Sequence, residues 1–177
     1  MMNTTSRATL IALLTIGAGC KAAPKDAGSA AFHPLDVGAP VPAYTALTLT
    51  GDTVHVGGSG APMVVNVWAT WCTSCREEMT ALDSLNHEFG ARGLRVIGVS
   101  VDEGDVAKVK RYAESNHLGF TVAHDPAGDI QRSYQVMGVP TTFVIGKDGT
   151  LRWRHTGNIS DIMGEVRGAV EKAVLGN

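Results

Sequence analysis

Two cysteines separated by two residues, Cys72 and Cys75, stand between an apolar run and an amphipathic segment. The run at 63–68 is almost continuously apolar, which is typical of a central strand covered on both faces. After the cysteines, apolar residues recur at helical spacing as far as Phe89. A buried strand that passes directly into a helix, with both thiols at the junction, predicts a layered α/β fold in which helices cover a sheet.

The rest of the chain continues this alternation of strands and helices. The apolar patterns predict further strands at 44–49, 53–56, 94–101, 120–123, 141–145 and 151–155, and helices at 105–116, 130–134 and 159–175. Gly51-Asp52 closes a hairpin at the start, and Lys147-Asp148-Gly149 closes another near the end. We therefore expect a central mixed β-sheet, parallel in the middle with antiparallel strands at its edges.

The position of the two thiols gives them different chemistry. At the start of a helix, unpaired backbone N–H groups favour the thiolate, so Cys72 is the predicted nucleophile. Cys75 lies one turn further on and can reach the Cys72 sulfur, so it is the predicted resolving residue. The alternative for such a pair is half of a zinc site, which would need two more ligands. The six histidines are scattered and form no close pair, so we expect no metal site.

The third cysteine, Cys20, ends a segment that has the pattern of an export signal. One positive charge precedes a run of twelve small or apolar residues at 8–19, broken only by two threonines, which is too short to span a bilayer. Small residues lead directly to Cys20, as in a bacterial lipoprotein signal, although Gly17 stands where that signal usually has a branched residue. We predict a signal peptide at 1–19 and lipidation at Cys20. An ordinary cleaved signal and an uncleaved anchor are the alternatives.

The composition of the following segment changes to Ala, Pro, Gly and Ser, which predicts a lipid-anchored flexible linker at 20–36 and a folded domain at 37–177. The whole chain has 15 basic and 17 acidic residues, a formal net charge of −2. It contains no block of five or more Lys or Arg, so nucleic acid is not an expected partner.

The segment 65–78, which reads Val-Asn-Val-Trp-Ala-Thr-Trp-Cys-Thr-Ser-Cys-Arg-Glu-Glu, resembles the active-site segment of thioredoxin-like proteins. The resemblance is strongest to the membrane-anchored TlpA/ResA branch, and Gly-Val-Pro-Thr-Thr-Phe at 138–143 supports it. It implies a thioredoxin-like fold with a strand–helix insertion between 101 and 125. It also implies that Pro140 is cis and faces the cysteines, so that Val139 and Pro140 hold the substrate chain. A trans turn proline is the alternative.

The same resemblance assigns further residues around the cysteines. Trp71, Thr73 and Ser74 would contact the substrate. Because Trp71 directly precedes Cys72, we expect it to shield the disulfide, and a position in the core is the alternative. Glu78 matches a glutamate that tunes cysteine acidity and moves protons in the ResA-like branch, and a partly buried carboxyl with a raised pKa would suit that role. A solvated glutamate in the first helical turn is the alternative. Asn66 replaces the buried aspartate of cytoplasmic thioredoxins, so it cannot do acid–base work.

Two other positions depart from the family pattern. Thr80 stands where relatives usually have a helix-kinking proline, so we expect a straighter helix. Thr73-Ser74 replaces the common Gly-Pro type of dipeptide between the cysteines, which leaves the redox potential open.

The resemblance implies an extracytoplasmic thiol–disulfide oxidoreductase that is monomeric and needs no cofactor beyond its redox-active cysteine pair. Its partners would be client proteins with disulfides or thiols, a membrane dithiol donor, and the membrane through Cys20. Clients in this family include apocytochromes c, copper-centre assembly proteins and spore-envelope proteins.

Two other functions are alternatives. One is a thiol peroxidase of the peroxiredoxin type, although Ala69 lacks the hydroxyl expected three residues before the reactive cysteine. The other is a Cu(I)-binding metallochaperone or client-binding module.

Overall fold

The structure is a computed structural model that describes residues 1–2 and 34–176. Most of the predicted signal peptide, Cys20 and most of the predicted linker lie outside the described residues. Among the residues that are described, no helix combines the length and the apolar character needed to cross a membrane.

The described part of the chain alternates between strands and helices as the apolar patterns predict. Its strands are β1 Tyr44–Thr48, β2 Thr53–Val56, β3 Met63–Trp68, β4 Arg95–Ser100, β5 Thr121–His124, β6 Thr141–Ile145 and β7 Leu151–Thr156. Its α-helices are α1 Thr73–Glu77, α2 Met79–Phe89, α3 Ala107–Ser115, α4 Asp129–Ser133 and α5 Met163–Leu175. Short 3₁₀ turns, Gly90–Arg92 and Ser160–Ile162, follow α2 and precede α5.

All seven strands form one mixed sheet in the order β2-β1-β5-β4-β3-β6-β7. The three central strands β3, β4 and β5 are parallel, and the β1–β2 and β6–β7 hairpins add antiparallel edges. The N-terminal hairpin joins the sheet through β5, where Leu47 pairs with His124 and Thr48 with Ala123. The prediction of a mixed thioredoxin-like sheet flanked by helices is confirmed. The carboxyl ends of the parallel strands meet at one edge, and that edge carries the cysteines.

The core closes tightly around Trp68, the last residue of β3. Its side chain is fully buried, as predicted, and packs 5.3 Å from the ring of Tyr112 on α3. Gly98 on β4 leaves the space that this packing needs. A Cβ added at Gly98 would lie 2.8 Å from Phe120 Cε2 and 3.1 Å from Trp68 Nε1.

Gly98→Ala is therefore expected to destabilise the protein by about 1–3 kcal/mol, because the new methyl group overpacks the core. Gly168, inside α5, is the matched control, since a Cβ there meets no atom within 4 Å. Gly168→Ala is expected to stabilise the protein by about 0.5–1 kcal/mol, because alanine loses less entropy in a helix. Urea unfolding of both variants measures the two effects. If Gly98→Ala left the free energy of unfolding unchanged, this account of the packing would be contradicted.

The expectation of a straighter helix after Cys75 is wrong. The helical segment is interrupted at Glu78, whose backbone φ of −91° and ψ of −2° end α1 and precede α2. Two hydrogen bonds hold the side chain of Glu78 inside the fold at this point. The interruption therefore occurs without a proline, at the residue whose carboxyl is directed into the core.

Candidate active site

Cys72 and Cys75 lie where β3 passes into α1, directly after the central strand. Cys72 is the N-cap of α1 and the backbone N–H of Cys75 donates to its Sγ at 3.2 Å. The two sulfurs are joined in a disulfide with an Sγ–Sγ distance of 2.10 Å. Once the bond is reduced, the same N–H favours the charged form of Cys72, because a hydrogen bond to a thiolate stabilises it.

The two sulfurs differ in their access to solvent. Cys72 keeps 7% of its surface exposed, whereas Cys75 is fully buried. A protein substrate approaching from solvent can therefore reach Cys72 and cannot reach Cys75. The asymmetry follows from the helix, which directs the residue three positions after its N-cap into the core.

The segment before β6 faces the cysteines across a long separation in sequence. The Val139–Pro140 peptide bond is cis, as the resemblance implies. The carbonyl oxygen of Val139 lies 3.7 Å from Cys72 Sγ. The fold thus brings the two sequence motifs together at the same sulfur.

The other residues predicted to bind substrate surround Cys72 with different degrees of exposure. Trp71 is 62% exposed and lies on the rim of a polar groove that also includes Asp102 and Lys108. Thr73 is exposed and its Oγ1 accepts a hydrogen bond from Arg76, while Ser74 Oγ lies 3.5 Å from Cys72 Sγ. Sequence reasoning missed Met137, which is 80% exposed two residues before Val139. Its only sequence signal is its position beside the Gly-Val-Pro motif.

Glu78 is fully buried, so the alternative of a solvated helix-terminal glutamate is wrong. Its Oε1 accepts a hydrogen bond from Asn66 Nδ2 at 2.7 Å, and its Oε2 accepts one from the Ile159 N–H at 2.9 Å. Burial raises the pKa of Glu78 to about 7, and the two hydrogen bonds oppose that rise only in part. A carboxyl with this pKa can both bind and release a proton near neutral pH. Glu77 beside it is exposed.

Asp102, two residues after the end of β4, anchors the loop before Cys72 and was missed by sequence reasoning. Its carboxylate accepts hydrogen bonds from the Thr70 N–H at 2.7 Å and the Thr70 hydroxyl at 2.5 Å. Ser100 Oγ donates at 2.8 Å, and Lys108 Nζ on α3 lies at 3.1 Å. Burial alone would raise the pKa of Asp102, but these donors outweigh it and hold the pKa below its usual value. The only signal in the sequence is a carboxylate directly after a buried strand.

The peroxidase alternative gains no hydroxyl from the structure. Ala69, three residues before Cys72, is fully buried and has no hydroxyl. In the part of the chain that the structure describes, no three His, Cys, Asp or Glu side chains are grouped so that they could hold a metal ion.

Comparison with known proteins agrees with this geometry. The profile of the AhpC/TSA family matches residues 37–154. The thiol-disulfide oxidoreductase ResA of Bacillus thuringiensis is 32% identical over 132 residues, which cover 74% of this chain and 72% of that protein. The thiol:disulfide interchange protein DsbE of Yersinia pestis is 36% identical over 132 residues, or 71% of this chain and 66% of that protein.

Solved structures show the same fold. A crystal structure from Chlorobium tepidum, described as a thiol:disulfide interchange protein DsbE, superposes with a TM-score of 0.72. The two sequences are 26% identical, and the match covers 79% of this chain and 99% of that one. With the Cys72–Cys75 disulfide and these relatives together, the chain belongs to the AhpC/TSA family and is a thiol-disulfide oxidoreductase of the TlpA/ResA-like thioredoxin group.

Proposed function

We propose that this oxidoreductase reduces disulfides of client proteins outside the cytoplasm, with Cys72 as the attacking residue and Cys75 as the resolving residue. The observation that carries the proposal is the asymmetry of the two sulfurs. Cys72 keeps 7% of its surface exposed and its Sγ accepts a hydrogen bond from the Cys75 N–H, whereas Cys75 is fully buried. The sulfur that a client can reach is therefore also the one that is favoured as a thiolate.

The proposed reaction transfers two electrons from the reduced cysteine pair to the client. The Cys72 thiolate attacks one sulfur of the client disulfide, a mixed disulfide forms, and the other client sulfur leaves and takes a proton from solvent. Cys75 then gives its proton to the Glu78 carboxylate and attacks the Cys72 sulfur. The second client sulfur leaves as a thiolate, and the protein is left with the Cys72–Cys75 disulfide.

Glu78 suits the second step because it is buried within the same helical segment as Cys75, three residues further along. A resolving thiol in a dry environment needs a nearby proton acceptor, since burial raises the pKa of a thiol. Because the pKa of Glu78 is about 7, the unprotonated form that accepts the proton and the protonated form that results are both accessible near neutral pH.

The proposed client-binding surface consists of Trp71, Thr73, Ser74, Val139 and Pro140, to which the structure adds Met137. The exposed Trp71 and Met137 offer apolar contact area on two segments next to Cys72. We propose that the Val139 carbonyl, which lies 3.7 Å from Cys72 Sγ, accepts a hydrogen bond from the backbone of an extended client segment.

Export and anchoring rest on the N-terminal sequence. We propose a signal peptide at 1–19, a lipid on Cys20 and a tether at 20–36 that holds the domain at 37–177 near a membrane. A membrane dithiol donor would return the disulfide to the reduced form. On the resemblance to the TlpA/ResA branch we propose clients of the kind handled in cytochrome c maturation, and we propose that the enzyme acts as a monomer.

The equilibrium reduction potential of Cys72/Cys75 tests the direction of electron flow. We expect a value at or below about −250 mV, beside thioredoxin, as a dedicated reductant requires. The measurement equilibrates the purified protein with dithiol buffers of defined potential and counts free thiols by alkylation and mass. A value near about −120 mV, typical of strong oxidants, would reverse the proposed direction.

A further inference from the structure

Asn66 lies in the middle of β3, between β4 and β6, and is fully buried. Its register partner on β6 is Thr142, which is also fully buried. The Nδ2 of Asn66 donates to Glu78 Oε1 at 2.7 Å and to Thr142 Oγ1 at 2.9 Å. Both protons of the amide nitrogen are thus used, one on Glu78 and one on Thr142.

The Oδ1 of Asn66 accepts no hydrogen bond from the residues that the structure describes. A primary amide can present a donor to a carboxylate or, after half a turn about χ2, an acceptor to a carboxylic acid. The Thr142 hydroxyl can accept from the amide nitrogen or donate to the amide oxygen. The Asn66–Thr142 pair can therefore bind Glu78 in either protonation state, which an aspartate at position 66 could not do.

We propose that Asn66, held by Thr142, is a positioning residue that sets the pH at which Glu78 exchanges a proton. In the disulfide form Asn66 donates to the Glu78 carboxylate and favours the charged state. When the proton of the Cys75 thiol moves to Glu78, the amide turns and its Oδ1 accepts the new O–H. The inference concerns the base in the resolving step, so it rests on the proposed function.

The surroundings of Glu78 leave few other groups that could set this pH. β3 contributes Asn66, β6 contributes Thr142 through Asn66, and the segment before α5 contributes the Ile159 N–H, none of which titrates. On its own helical segment, the charged or titratable groups nearest Glu78 are Cys75, which is in the disulfide, Arg76, which is exposed, and Glu77. Glu77 is exposed, and its Oε2 accepts a hydrogen bond from Asn158 Nδ2 at 3.3 Å.

The test follows the Glu78 carboxyl directly, by ¹³C NMR of the oxidised, glutamate-labelled protein between pH 4 and 9. Glu78→Gln removes one resonance and so assigns it. Asn66→Leu, of similar volume, is expected to move the Glu78 midpoint upward by about one to two pH units, since a hydrogen bond to the charged form is lost. Thr142→Val is expected to move it in the same direction by less, because Thr142 acts through the amide.

Thr141→Val is the matched control. Thr141 is the adjacent buried threonine of β6, but its hydroxyl donates to the Gly138 carbonyl and does not contact Asn66. This variant is expected to leave the Glu78 midpoint unchanged. If Asn66→Leu does not fold, Asn66→Asp replaces it. The introduced carboxyl and that of Glu78 should then share one proton, which is released only at a pH above the wild-type Glu78 midpoint.

An unchanged Glu78 midpoint in a folded Asn66 variant and in Thr142→Val would overturn the inference. The proposed role of Glu78 is tested separately, by the pH dependence with which reduced Glu78→Gln resolves a mixed disulfide. If that dependence matches the wild type while the NMR midpoints move as expected, Glu78 is not the base and Asn66 only sets its ionisation. If Glu78→Gln changes the dependence and the midpoints do not move, the inference about Asn66 alone fails.

Discussion

Cys72→Ser is expected to lower the rate of client disulfide reduction by at least about a thousandfold, to the background of the uncatalysed reaction. Serine forms no thiolate, and the remaining Cys75 is fully buried, so the active site has no thiol left that the client can reach. Reduction of insulin with dithiothreitol as the donor measures the loss. Circular dichroism of the variant establishes that the fold is retained.

Cys75→Ser is expected to lose turnover as well, but for a different reason. Its Cys72 can still attack, so the client stays attached as a mixed disulfide that serine cannot resolve. A band of the combined mass on a non-reducing gel, which disappears with reductant, detects it. We expect this band with Cys75→Ser and none with Cys72→Ser, and the double variant is the blank. Equal trapping by the two single variants would refute the assigned order of attack.

The second large effect is expected in the pH dependence of stability. The pKa of Glu78 rises from 4.5 in a free side chain to about 7 in the fold. The folded protein therefore binds the proton more strongly than the unfolded chain does. The resulting stabilisation is complete below pH 4.5 and is lost as the pH rises through 7. The difference of about 2.5 between the two pKa values corresponds to about 3 kcal/mol, since a difference of one in pKa is worth about 1.4 kcal/mol.

Oxidised wild-type protein should thus lose about 3 kcal/mol between pH 4 and pH 8 from this group. The glutamine of Glu78→Gln cannot ionise. The free energy of unfolding of this variant should therefore fall less than that of the wild type over the same pH interval, and the difference should be about the loss assigned to Glu78. Glu77→Gln is the matched control, because Glu77 is exposed beside it and its curve should follow the wild type. Urea unfolding at several pH values gives the three curves. Parallel curves for Glu78→Gln and the wild type would show that Glu78 is not held with a raised pKa.

The order and kind of the elements could be predicted from the sequence because they depend on local pattern. The continuous apolar run before Cys72 predicts a strand covered on both faces, and β3 occupies those residues, Met63–Trp68. The prediction failed at Glu78, because residues distant in sequence bind its side chain inside the fold. The departure at Thr80 predicted a straighter helix, but the helical segment is interrupted at Glu78, whose carboxyl is bound by β3 and by the segment before α5.

Sequence reasoning missed two residues of the site for the same reason. Asp102 and Met137 carry no spacing or motif of their own, and each matters only through what the fold places beside it. Asp102 reaches the loop of Cys72 because β3 and β4 are parallel neighbours and both end at the same edge of the sheet. Met137 is exposed beside Val139, whose carbonyl lies against Cys72. Contacts of this kind join positions more than thirty residues apart, which no local pattern reports.

The sequence by itself determined the chemistry of this protein: two cysteines at a strand–helix junction, with a Gly-Val-Pro motif at a distance, specify thiol–disulfide exchange in a thioredoxin-like fold. Local propensity and the properties of a helix start suffice for the redox chemistry, and the thioredoxin-like fold followed from the resemblance of both motifs to that family. Only the tertiary structure decided which sulfur is accessible and whether Glu78 is solvated or buried. Exposure and pKa depend on what packs around a group. Here those neighbours are Asn66, Ile159 and Val139, which the sheet and the segments leading into β6 and α5 bring together.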